Sequence, residues 1–168
     1  MLELCAGSLA DTHAIAAALA GLARGGDIVL LSGEMGAGKT AFAQGFGKAL
    51  GVTEPITSPT FTLVHSYPVG GLTLHHADLY RLERTAEIAD LALEELAEFK
   101  GIVLVEWGEA LDGAFPDHLS VHLSPGEPAD DADEFGRDGT RTIDITAAGS
   151  RWASRWPALT EHCGTFVC

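Results

Sequence analysis

Lysine is scarce in this chain. Lys39, Lys48 and Lys100 are the only three, and with seven arginines they face 24 acids across 168 residues. The formal net charge is −14. A surface this acidic repels a phosphate backbone, which argues against direct capture of nucleic acid. It fits a basic protein partner, or equally a solubility bias of the source. No apolar run reaches the ~20 residues needed to cross a bilayer. Met1-Leu2-Glu3-Leu4-Cys5 lacks both the basic region and the long apolar core of a secretory signal. Cysteine is limited to Cys5, Cys163 and Cys168, an odd and scattered trio without metal-ligand spacing. That pattern points to a reducing cytoplasm and away from a disulfide framework. No internal repeat is visible. A hydrophobic content of 46% over this length suits one domain with a sizeable core.

Against these absences stands one dense motif. Gly33-Glu34-Met35-Gly36-Ala37-Gly38-Lys39-Thr40 fits G-x-x-x-x-G-K-[ST], the P-loop pattern. Its glycines permit backbone angles and approaches that a Cβ would forbid. The loop's N–H groups can then turn inward around phosphate oxygens. Lys39 is a mobile charge for the β- and γ-phosphates, and Thr40 offers a hydroxyl to Mg²⁺. Ala41 continues the same wall, and the helix that starts near Gly38 adds the positive end of its dipole. The flanks agree with the motif. Ile28-Val29-Leu30-Leu31 is a continuous apolar run, as in a strand buried on both faces. Phe42, Phe46, Ala49 and Leu50 fall on one helical face, and Gly51 can end that helix.

The rest of the chain reads as an alternation of elements. Residues 1–6 form a short edge strand; Ser8 caps a helix with Asp11 three residues on, whose apolar stripe is Ile15, Leu19 and Leu22. Gly25-Gly26-Asp27 turns into the P-loop strand. Phe61–Tyr67 and Leu72–Tyr80 alternate as the arms of a β-hairpin joined by Pro68-Val69-Gly70-Gly71. Alternation puts Leu72, Leu74, His76, Asp78 and Tyr80 on one face. Thr85 can cap a helix with the stripe Ile88, Leu91, Leu96 and Phe99. Ile102–Val105 is a second buried strand ending in Glu106-Trp107, and His118–Leu123 and Arg141–Thr146 are two more. A short terminal helix is expected over 151–160. Residues 124–139 hold six acids (Glu127, Asp130, Asp131, Asp133, Glu134, Asp138) among prolines and glycines, the composition of a solvated mobile loop.

An ATPase of this type needs an acid near Mg²⁺, commonly at the end of an apolar strand. Glu106 and Asp78 both stand at strand ends. One can position the metal while the other orients the attacking water, and the strand pattern favours Glu106 for the metal. Thr60, in Ser58-Pro59-Thr60-Phe61, can sense the γ-phosphate as switch loops do; the alternative is an ordinary turn. Trp107 either closes the site, stacks on a partner or packs in the core. Arg81 and Arg84 can neutralise phosphate or pair with acids. His75 and His76 are neighbours on a strand and point to opposite faces, so they cannot chelate one metal there.

LSGEMGAGKT, TSPTFTLVHSY, HHADLYRL and IVLVEWGE, in this order, resemble the TsaE (YjeE) family of bacterial P-loop ATPases, over residues 1 to about 125. The resemblance implies an α/β, P-loop NTPase-like fold: a mostly parallel sheet flanked by helices, with an inserted antiparallel hairpin, as one ATPase domain over 1–168. It implies ATP and Mg²⁺ as ligands, and work with the partners TsaB and TsaD in placing threonylcarbamoyl on the adenosine beside the anticodon, with tRNA held only through those partners. Carried onto this chain, Gly36, Gly38, Lys39 and Thr40 bind nucleotide and Thr60 lies in the switch. Asp78 and Thr40 hold Mg²⁺, and Glu106 acts in hydrolysis, so the resemblance prefers Asp78 for the metal. The rival reading is a free-standing small-molecule kinase, which requires an acceptor pocket and an arginine-bearing lid; a third is a nucleotide-dependent binding module.

Overall fold

In the computed structural model, residues 1–57, 59, 63–79, 92–111, 113–126 and 140–168 are described. Ser58, Thr60 and Phe61, then Tyr80, Arg81, Arg84, Thr85, Ile88 and Leu91, and the acids from Glu127 to Asp138 lie outside the described residues.

Among the described residues the strands are β1 (Leu2–Ala6), β2 (Ile28–Ser32), β3 (Val64–Val69), β4 (Leu72–Asp78), β5 (Gly101–Glu106), β6 (His118–Pro125) and β7 (Arg141–Ala148). The helices are α1 (Leu9–Leu22), α2 (Lys39–Leu50), α3 (Leu93–Glu98) and α4 (Trp156–His162), with 3₁₀ turns at Gly108–Leu111 and Gly164–Phe166. All seven strands join one sheet in the order β1-β7-β6-β2-β5-β4-β3. The four inner strands β6, β2, β5 and β4 run parallel. Antiparallel pairs close both sides: β7 against β6 and β1, and β3 against β4.

This order follows from the apolar pattern. The continuous runs in β2 and β5 can bury both faces only at the centre of a sheet. Their alternate residues feed two cores. Val29, Leu31, Ile102 and Leu104 meet Ile15 and Leu19 of α1 and Phe42 and Phe46 of α2. Ile28, Leu30, Val103 and Val105 meet Leu93 and Ala97 of α3 on the opposite face. β4 pairs with β3 and β5 along its two edges, and its faces are covered by the two cores, which Leu74 and Ala77 enter separately.

The local signals behave as their chemistry dictates. Ser8 Oγ accepts from the Asp11 N–H at 3.2 Å, while the Asp11 carboxylate accepts from the Gly7 N–H at 2.9 Å. Gly51 closes α2 in the left-handed region at φ +108. Pro68 and Val69 belong to β3 and not to the turn, leaving Gly70-Gly71 as a two-residue connection. Proline is tolerated there because β3 is an edge strand.

Two expectations are corrected. Phe99 is 82% exposed and joins no apolar stripe. The helix stops at Glu98, and Lys100 at φ +55 swings the chain into β5, which throws Phe99 outward. The expected absence of a disulfide fails for one pair: Cys5 and Cys168 are bonded, with Cα atoms 5.1 Å apart, while Cys163 is buried and free. An isolated bridge between Leu4 and Val167 brings these residues together across a sequence separation of 163.

A further tie secures the end of the sheet opposite the P-loop. Asp27, fully buried just before β2, accepts from Arg151 Nε at 2.7 Å and from Arg155 at 2.6 and 2.9 Å. The Arg24 N–H adds a fourth bond at 2.7 Å. Arg155 itself lies 3.9 Å over the Trp152 ring, whose side chain is fully buried.

Candidate functional site

β2 delivers the chain to Gly33, where φ is +135 and any Cβ would run into the carbonyl of Leu123. Gly38, at φ +103, is the N-cap of α2 and has no side-chain cap, so its amide end stays open. An anion is the natural partner for such a helix start.

Lys39, the first residue of α2, is 5% exposed. Its ammonium donates to the carbonyls of Gly33 at 2.6 Å and Glu34 at 2.9 Å, and it lies 3.8 Å from the centre of the Trp107 ring. Burial pulls this amine below the usual lysine range, against the raising effect of Glu106, Glu109 and Asp78. Trp107 reaches this position in the left-handed region, φ +62, a conformation that costs a non-glycine residue about 1–3 kcal/mol. Glu109 accepts from the Gly33 N–H at 3.0 Å and so fixes the loop's entry.

β5 ends at Glu106, which is 2% exposed. Thr40 Oγ1 donates to Glu106 Oε1 at 2.8 Å, and His76 Nε2 lies 2.6 Å from Glu106 Oε2. Burial pushes this carboxyl up, but the His76 and Thr40 hydrogen bonds and the Lys39 charge outweigh it and hold Glu106 below the usual carboxylate range. Asp78 is the register partner of Glu106 on β4, so the two acids stand side by side on parallel strands. Met35, Gly36, Gly38, Lys39, Thr40, Ala41, Asp78, Glu106 and Trp107 together line a cleft of about 350 Å³.

Could these groups hold a metal? Among the described residues no three His, Cys, Asp or Glu side chains form a cage. Mg²⁺ does not require one, since it commonly takes one or two carboxylates, waters and substrate phosphates. Thr40, Asp78 and Glu106 supply that kind of donor set. Because Thr40 gives its proton to Glu106, its oxygen keeps lone pairs for another partner.

A model described as "Threonylcarbamoyl adenosine biosynthesis protein TsaE" matches residues 6–132. The chain belongs to the TsaE family. The TsaE of Bacillus subtilis (strain 168), named a tRNA threonylcarbamoyladenosine biosynthesis protein, is 38% identical over 152 residues, 90% of this chain and 89% of that one. The protein of the same name from Streptomyces coelicolor is 39% identical over 140 residues, covering 81% and 90%. The crystal structure of Bacillus subtilis YdiB superposes with a TM-score of 0.77 at 30% identity, covering 96% of this chain and 95% of that chain. The structural likeness thus takes in the segment after Ser150, where the sequence motifs fall silent.

Of the residues expected in the site of this TsaE-family chain, Gly36, Gly38, Lys39, Thr40, Ala41, Met35, Asp78 and Glu106 line one cleft. Gly33 and Glu34 meet it through their carbonyl bonds to Lys39, and Ala37 is buried beneath the loop. Thr60, Arg81 and Arg84 lie outside the described residues. Three neighbours went unassigned in the sequence. His75 and His76 point to opposite faces as alternation requires: the His76 ring contacts Glu106, while His75 turns the other way to Ser66 at 2.8 Å. Glu109 and Arg141 touch the P-loop from 3₁₀ turn and β7. Only the stretch E-W-G-E hinted at Glu109; nothing local marked Arg141.

Proposed function

We propose that this chain is a cytoplasmic, Mg²⁺-dependent ATP hydrolase serving tRNA threonylcarbamoyladenosine biosynthesis together with TsaB and TsaD. The observation that carries the reading is the 2.8 Å bond from Thr40 to Glu106, which joins the P-loop helix to an acid at the end of the adjacent parallel strand. A glycine-rich turn with no ligand has no need of that link.

The loop amides and the α2 N-terminus would hold phosphate oxygens, with Lys39 as the nearby cation. Thr40, Asp78 and Glu106 would hold Mg²⁺, which when bound offsets phosphate charge. Glu106 keeps its charge through the His76 and Thr40 bonds, which leaves it able to accept a proton or orient water. The 24 acids against 10 bases leave tRNA to the partners.

Phosphate release, measured for the chain alone, with the TsaB–TsaD pair, and with tRNA alone, tests this reading. Slow hydrolysis alone, stimulation by the pair and none by tRNA are expected. Lys39→Ala should abolish turnover in every arm. Normal turnover by that variant, or transfer of phosphate to a small acceptor, would replace the reading with a non-P-loop activity or a kinase; tight nucleotide binding without hydrolysis in any arm would leave a binding module.

A further inference from the structure

Arg141 is the first residue of β7 and pairs with Pro125 at the end of β6 and with Ala6 of β1. Since β6 and β5 flank β2 on opposite sides, Arg141 stands across the P-loop from Asp78, Glu106 and Trp107. Its guanidinium donates to the carbonyl of Thr140 at 2.6 Å and to that of Gly36 at 3.3 Å. A Cβ placed on Gly38 would lie 3.4 Å from its Nε. The plane therefore rests against the loop between two glycines in left-handed conformations, φ +80 and +103.

A nucleotide in this loop has two ends. The acids that suit Mg²⁺, and the Lys39 ammonium, mark the terminal-phosphate end on the β5 and β4 side. The nucleoside then leaves on the β6 and β7 side. A guanidinium is planar and weakly hydrated, and it stacks on aromatic faces, which an ammonium does not do in the same way. A cation serving phosphate alone would be placed beside Lys39.

We infer that Arg141 is a nucleoside-contacting residue, which packs its plane on the base of a bound nucleotide while its Gly36 bond ties that contact to the P-loop. The inference rests on the ATP reading above and names the residue that distinguishes nucleotide from bare polyphosphate.

Titration calorimetry of the full chain with ATP, ADP and inorganic tripolyphosphate, each with Mg²⁺, tests it. The parent should bind ATP more tightly than tripolyphosphate. Arg141→Ala should weaken ATP and ADP by about tenfold, the scale of losing one base stack, and leave tripolyphosphate within about twofold of the parent. Arg141→Lys, which keeps a cation within reach of Gly36 but no plane, should follow the alanine variant. Circular dichroism melts establish that both variants are folded. Equal losses for ATP and tripolyphosphate would reduce Arg141 to a loop brace, and unchanged ATP binding in both variants would remove it from the site; either overturns the inference while the ATP reading stands. A parent that binds tripolyphosphate but gains nothing from the nucleoside also overturns it. A parent that binds neither ligand brings down the ATP reading and this inference with it.

Discussion

Glu106→Gln is the sharpest perturbation of the cleft, because it preserves the shape and removes the charge. Glu106 accepts at Oε1 from Thr40 at 2.8 Å and faces His76 Nε2 across 2.6 Å at Oε2. Glutamine offers one acceptor and one donor. The Thr40 hydroxyl can donate or accept, so the amide oxygen can face His76 Nε2 while the NH₂ donates to Thr40 Oγ1, or the reverse. Either arrangement replaces two charge-assisted hydrogen bonds with neutral ones of roughly half the strength. Weakening the two bonds costs about 1–3 kcal/mol in all, and the loss of a buried charge offsets part of it. Net destabilisation of about 1 kcal/mol lowers Tm by about 2–4 °C. Catalysis suffers more. If the carboxylate orients water or takes its proton, kcat falls by about 10²–10⁴-fold. ATP affinity should change by less than about tenfold, because the loop amides and Lys39 remain. The assay is phosphate release under TsaB–TsaD stimulation, with calorimetric ATP binding and a thermal melt on the same samples. A variant with kcat within about threefold of the parent refutes the role of the Glu106 charge.

Asp78→Ala should raise the Mg²⁺ concentration needed for half-maximal hydrolysis, with less effect on nucleotide binding when Mg²⁺ is absent; an unchanged Mg²⁺ titration would hand the metal to Glu106 and Thr40. Asp27→Ala strands the buried Arg155 guanidinium and should cost about 3–5 kcal/mol in urea unfolding, whereas a loss below about 1 kcal/mol would mean the cluster is replaceable. Burial raises the Asp27 carboxyl, but Arg155, the Arg24 N–H and Arg151 hold it below its ordinary value of 3.8. Its contribution is therefore complete above the unfolded-state value and is lost as pH falls toward the folded-state one. Asp27→Asn should flatten that acid-side slope, seen as a smaller drop in Tm between pH 5 and pH 3.

The P-loop and its flanking elements were legible because their chemistry is local. Gly33 to Thr40 carry their meaning in spacing, and the apolar runs before and after fix strand and helix. Asp78 and Glu106 showed themselves as acids at strand ends, but their adjacency depends on β4 pairing with β5, which no local pattern states. His76 was hidden for the same reason: alternation tells which face a residue takes, not which side chain waits on the next strand 30 residues away. Arg141 and Gly36 are 105 residues apart and Cys5 and Cys168 are 163, so neither pair leaves a local trace. Asp27 looked like an ordinary turn acid because its arginines come 124 and 128 residues later. Phe99 misled through its apolarity, since the sharp turn at Lys100 overrides any stripe.

The stretch matched by the TsaE family model ends at residue 132, before β7 begins. The motif-bearing segment and the physically autonomous unit therefore have different borders. β7 is the only described neighbour joining β1 to β6, so a chain cut at that border would leave Leu2 and Leu4 without a sheet to lie on. It would also bury the Asp27 carboxylate with neither Arg151 nor Arg155 to answer it. The motif-bearing segment is thus not a self-sufficient one, and residues 141–168 act as the keystone that lets the earlier arch stand.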